Sequence, residues 1–202
     1  YAWISIKCYY ASYFAAHSIM RSLGEICSQL EKGHINLINK YSTALGLTGA
    51  AKPEGGLFYG RYNASDRSFK LYKLNNTHED TWKSFIKSLN TLSKNVINVK
   101  GLKSKKQRLS SEIDDLIYLL NDNGRLPKGN FLSQFRNSIN YRQEHCSWHP
   151  YGKDSVRSDR ILQIITSWRN KNIINIYRHK MPKNVYNFFY SCTIILNMCY
   201  NI

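Results

Sequence analysis

The chain has 202 residues, enough for one sizeable core, and is 43% hydrophobic and 13% aromatic, which excludes a disordered polypeptide. Its 29 Lys and Arg outnumber 13 Asp and Glu, a formal net charge of +16. Such an imbalance opposes folding by self-repulsion and makes polyanions the natural partners, nucleic acid first and an anionic membrane surface second.

Five scattered cysteines, Cys8, Cys27, Cys146, Cys192 and Cys199, form no CxxC pair. This excludes a disulfide framework and a cysteine zinc site, and suits small core residues in a reducing cytoplasm. No signal peptide is visible, and a first residue other than Met suggests that sequence precedes Tyr1. Apolar residues at Ile4, Cys8, Ala11, Ala15, Ile19 and Leu23 predict a largely buried first helix, with Gly33 the better stop than Gly24. His17 on this helix reads as a core or interface histidine. HINLINKYSTAL predicts a second, short helix, with His34 a surface group at its start.

After the glycine-rich break GLTGAAKPEGG the period changes to two. LFYGRYN and SFKLYKL flank Ala64-Ser65-Asp66-Arg67 and predict a β-hairpin insertion over residues 57–74. It is either ordinary packing or a flap offering Arg61, Arg67, Lys70 and Lys73 to a polyanion. Thr77-His78-Glu79-Asp80 resembles a capping box and opens a helix with a Trp82, Phe85, Leu89, Leu92 stripe; His78 reads as another surface group. The basic stretch 100–108 is predicted to be a loop whose Lys103, Lys105, Lys106 and Arg108 are either solvated or in contact with phosphates. Ser111 to Asp114 predict the start of a further helix ending at Asn123-Gly124.

A helix from about Gly129 carries Phe131, Leu132, Phe135 and Ile139 on its apolar side. Asp159 opens another, NIINIYRHK is ambiguous between helix and strand, and a final helix follows Pro182. The uncharged tail 185–202 barely reaches membrane-spanning length, and its Asn and Cys residues favour a buried terminal helix. Together these elements predict a mainly α protein, an antiparallel helical bundle of about six helices with one hairpin, in a single domain over residues 1–202.

The chemistry concentrates in FRNSINYR and the following QEHCSWHP. On a helix Arg136 and Asn140 share a line, with Asn137 and Tyr141 one step around. Arg136 suits bidentate phosphate binding and Asn140 suits the same group. His145 joins them only where the helix ends before it. Metal-independent RNA cleavage needs a proton carrier for the 2′-hydroxyl and the leaving oxygen, which histidine supplies, and positive charge on the phosphorane, which arginine supplies. No Walker-type loop, GxGxxG, HExxH or GxSxG occurs, and the acidic residues are too few and dispersed for a two-metal nuclease. No cofactor or metal is expected.

KCYYASYFAAHSIMRSLG followed by EKGHINLINKYSTAL, and later FRNSINYR, resembles the HEPN superfamily (higher eukaryote and prokaryote nucleotide-binding domains), in its small bacterial toxin and defence branch. The resemblance covers the two ends of roughly the first 150 residues. It implies a HEPN-like helical bundle that forms a homodimer about the motif helix, and a metal-independent endoribonuclease of toxin–antitoxin or antiphage type, with an antitoxin or defence-system partner. The family pattern is Arg, a polar residue, then His after four to six residues. Arg136 and Asn137 match its start, His145 lies beyond that gap, and Arg142 to His149 has it. The expected catalytic residues are therefore Arg136 with His145 or His149. Asn137, Asn140, Tyr141 and Arg142 are expected to hold RNA phosphate. The alternative is a catalytically silent HEPN module that binds RNA or a partner protein. The expected setting is the cytoplasm, off the membrane.

Overall fold

The computed structural model describes residues 2–47, 54–126, 129–142, 144, 156–170, 173–178 and 184–202. The first helix, α1 (Ala2–Ser22), stops eleven residues short of Gly33, because Gly24 adopts φ +75° and the last turn closes through Gly24 N–H to the Arg21 carbonyl. The buried stripe is also rotated from the expected one. Tyr9, Tyr13, Ala16, Ile19 and Met20 face inward, whereas Ile4 and Leu23 are exposed. Small Ser5, Ser12 and Ala16 let the final helix approach closely, and the tyrosines carry polar tips that find partners.

Beyond Gly24 lies β1 (Glu25–Leu30), a strand the sequence reading missed. Next come α2 (Lys32–Ala44), β2 (Gly56–Asn63) and β3 (Ser68–Leu74). The expected hairpin is therefore real but not isolated: the antiparallel order is β1-β2-β3. Its turn is tied by Asn63 Oδ1 accepting from Ser65 N–H at 3.2 Å and Asp66 Oδ1 from Ser68 N–H at 3.0 Å. Buried Glu25 accepts from Ser88 Oγ and pairs with Arg61 at 3.5 Å, so Arg61 is partly neutralised.

Gly60 lies under the Phe69 ring. A methyl there would approach Phe69 Cε1 to 2.7 Å and Ile26 Cγ1 to 3.0 Å. Gly60→Ala should destabilise the fold by about 1–2 kcal/mol through forced displacement of that ring. Urea denaturation of Gly60→Ala, Phe69→Leu and the double variant checks this; strictly additive losses would contradict it.

The helical body continues with α3 (Thr77–Asn98), α4 (Lys105–Leu120), α5 (Phe131–Arg142), α6 (Ser158–Thr166), a 3-10 turn at Ser167–Arg169, α7 (Ile173–Arg178) and α8 (Asn184–Tyr200). Among the described residues that makes eight α-helices rather than about six, and the ambiguous NIINIYRHK contributes a helical turn and a half. The cap of α3 is Asn76, one residue before the expected position; its Oδ1 accepts from His78 and Glu79 N–H. Asp80 in turn accepts from Asn75 and Asn76 N–H. Ser111 is interior to α4, whose start at Lys105 is supported by helix-forming Lys and Gln residues and an Arg108–Glu112 pair at 2.8 Å. The basic loop thus ends at Ser104, and Lys105, Lys106 and Arg108 are helical.

Trp82, Phe85 and Leu89 of α3 are buried as the periodicity predicts, as are Phe131, Leu132, Phe135 and Ile139 of α5. Phe135 and Phe188 stack at 4.3 Å and lock α5 onto α8. The tail forms the centre of the core, with Phe188, Phe189, Ile194 and Ile195 inaccessible, and Ser191 and Thr193 returning hydrogen bonds to the preceding turn. Among the described residues no helix is long and apolar enough to cross a membrane. Cys8, Cys27, Cys192 and Cys199 are free thiols, and burial raises the pKa of the first three. Cys146 lies outside the described residues.

Candidate anion site between α1, α3 and α5

Two adjacent tyrosines on α1 divide their work. Tyr9 points into the core, where Trp82 Nε1 donates to its Oη at 3.0 Å. Tyr9 Oη also lies 3.0 Å from His78 Nδ1. Indole N–H only donates, so the phenol oxygen accepts there and keeps its own proton to offer to Nδ1. When the phenol proton points at Nδ1, neutral His78 carries its own proton on Nε2. Burial first, and then the Arg136 charge, hold the His78 pKa below its ordinary value. In that tautomer the chain Trp82–Tyr9–His78 presents a neutral N–H donor rather than an imidazolium.

Tyr10 faces α5. Arg136 Nη2 donates to Tyr10 Oη at 3.1 Å, and Nη1 donates to Asn137 Oδ1 at 2.9 Å. The guanidinium carbon sits 6.0 Å from the Tyr10 ring centre and 5.6 Å from that of Tyr141. Arg136 is half-buried, its Nε is inaccessible and unpartnered, and no carboxylate among the described residues pairs with it. Cation–π contacts and two neutral acceptors orient the cation without neutralising it. A half-buried, always-charged group of this kind gains most from an anion.

The expected site residues separate into groups. Arg136, Asn137 and Tyr141 converge, and Asn140 is half-buried one turn further along α5. Arg142 does not join them: it lies 3.9 Å from Glu144 and lines a separate groove that includes Asp122, Gln134 and Ser138. The helical advance of α5 explains this, since six residues carry Arg142 about 240° around from Arg136. Lys103, Lys105, Lys106 and Arg108 follow the far end of α3, about 30 Å along that helix from His78. His145 and His149 lie outside the described residues. Of the remaining histidines, His34 is exposed as expected and accepts from Glu31 N–H at 3.1 Å. His78 is the residue the sequence reading missed. Among the described residues no group of three or more His, Cys, Asp or Glu is arranged to hold a metal ion.

The chain matches none of the protein-family models, curated proteins or solved structures compared with it.

His17 continues the aromatic row, its ring 4.6 Å from that of Tyr13. Burial, then the Arg21 charge and at low pH that of a protonated His78, depress its pKa from 6.5 to about 4. The unfolded chain binds a proton below pH 6.5 that the native chain refuses until about pH 4. The His17 contribution to stability is thus fully present above pH 7 and is lost as pH drops through this window, by about 1–2 kcal/mol after allowing for the partly exposed ring. Denaturation midpoints at several pH values should show this decline, and His17→Phe should flatten it; an unchanged slope would remove His17 as its source.

Proposed function

We propose that the protein is a metal-independent endoribonuclease of HEPN type, acting in the cytoplasm as a homodimer paired through α5, in a toxin–antitoxin or antiphage role. The observation that carries this reading is the uncompensated, half-buried Arg136 beside the neutral His78 donor. In the proposed reaction the RNA 2′-oxygen attacks the adjacent phosphorus and the 5′-oxygen leaves. The products are a 2′,3′-cyclic phosphate and a 5′-hydroxyl. Arg136 stabilises the charge that grows on the phosphorane, and His78 Nε2–H donates to a non-bridging oxygen. His145 or His149, just beyond α5 in the chain, takes the 2′-hydroxyl proton and returns one to the leaving oxygen. Asn137 and Tyr141 keep the guanidinium oriented.

The same contacts favour one second reading. Two of the Arg136 donors are already engaged by Tyr10 and Asn137, which suits a silent module that holds RNA without cutting it. Incubation of purified protein with single-stranded RNA in EDTA separates the two. Cleavage with cyclic-phosphate ends is the expected result. Saturable binding with intact RNA would establish the silent module instead.

A further inference from the structure

The β2–β3 ribbon carries aromatic surface whose use is not explained by the core. Tyr62, Phe69 and Tyr72 are 49%, 49% and 52% exposed. Tyr62 and Phe69 are direct partners across the strands, so both rings rise from one face. The Phe69 ring packs against Gly60, where any side chain would collide with it, and still exposes about half of its surface. Tyr72, on the opposite face, leans on buried Tyr59 with ring centres 5.9 Å apart, which fixes its orientation. The aromatics are therefore held in place before any ligand arrives.

Their neighbours are cationic. Exposed Arg67, Lys70 and Lys73 alternate with the rings, and Asp66, occupied in the turn, is the single acidic residue of the ribbon. As the last strand, β3 also leaves one backbone edge unpaired among the described residues. It runs directly into α3: only three residues separate Leu74 from His78. The span from Phe69 to Leu74 adds about 17 Å of extended track leading away from the anion site.

We propose that the free β3 edge of this ribbon binds single-stranded RNA flanking the phosphate held at Arg136, the strand following the edge with phosphates on Arg67, Lys70 and Lys73 and with bases folding over it, onto Phe69 on one face and Tyr72 on the other. Fixed aromatic rings interleaved with cations are what sequence-tolerant single-strand binding requires, because every base offers a flat face and every nucleotide a charge. An acidic protein partner would answer the lysines but not the exposed rings. This assignment rests on the RNA reading of the site, which it extends from one phosphate to a strand.

The test compares a 2′-O-methyl RNA about eight nucleotides long, within the usual span of one such surface, with a cleavable dinucleotide. Tyr72→Leu keeps an apolar contact for Tyr59 and should weaken binding of the longer RNA roughly tenfold. Lys70→Ala with Lys73→Ala should reduce the dependence of log affinity on log salt by about 0.7 for each phosphate that the ribbon then leaves unneutralised. Neither change should alter dinucleotide cleavage or the melting temperature. Wild-type affinity for the longer RNA in both variants would overturn the proposal, as would an equal loss for duplex RNA. If the wild-type protein binds the longer strand through the ribbon but cleaves nothing, the endoribonuclease reading fails and the ribbon assignment stands.

Discussion

Arg136→Ala should lower the rate of RNA cleavage in EDTA by about 10²–10³-fold while leaving the fold intact. A charged donor acting on the phosphorane contributes on this scale. The structural penalty is small by comparison, because Arg136 donates to only two neutral acceptors, Tyr10 and Asn137, and both of those side chains reach solvent once it is gone. Arg136→Lys should recover only part of the rate. A lysine ammonium is a compact charge that does not reproduce the planar fork spanning Tyr10 and Asn137 while still facing a phosphate. Initial rates on a labelled RNA, with circular dichroism as a control for folding, check this. Full activity in Arg136→Ala would remove the guanidinium from the reaction.

The second large effect concerns stability and the state of His78. Trp82 is completely buried, edge-on to Phe85 and Tyr9, and holds the Tyr9 hydroxyl through its indole N–H. Trp82→Ala should destabilise the protein by about 3–5 kcal/mol, since it empties the largest side chain from the centre of the core. That is a large share of the stability of any domain of this size. Trp82→Phe retains most of the volume and should lose only about 1–2 kcal/mol. Its informative consequence lies next door. With the indole donor gone, the Tyr9 oxygen has one more acceptor site open to His78, which favours the tautomer with the proton on Nδ1. Nitrogen-15 spectra of the histidine rings should show Nε2–H in the wild type and a shift toward Nδ1–H in Trp82→Phe. An identical tautomer in both proteins would break the proposed link between Trp82 and the site.

Long apolar periodicities were the most legible feature of the sequence. The stripes of α3 and α5 and the burial of the terminal helix follow from side chains that are both apolar and evenly spaced, and the hairpin follows from its clean alternation. The misread elements have polar interiors. Strand β1 escaped because its inward positions include Glu25, whose burial is made tolerable by Ser88 and Arg61, partners 63 and 36 residues away. The stop of α1 was misplaced because Gly24 and Gly33 offer the same local signal, and pairing of β1 with β2 decides between them. At the site, Arg136, Asn137 and Tyr141 could be grouped from helical spacing alone. His78 could not, because its place depends on Tyr9, 69 residues earlier in the chain. The available hint was the row Tyr10, Tyr13 and His17, whose three- and four-residue spacing puts polar aromatic tips along one side of α1. Arg142 was grouped with Arg136 by proximity in sequence and is separated from it by the turn of the same helix.

In the proposed site Arg136 and His78 bind one anion together. Titrating nitrogen-15-labelled protein with a 2′-O-methyl dinucleotide in EDTA, and following the Arg136 guanidinium and His78 ring signals, tests it directly. Both signals should move with one shared saturation curve in the wild type, and the His78 response should disappear in Arg136→Ala. Binding of the dinucleotide that leaves both signals unmoved, or moves His78 equally without Arg136, would contradict it.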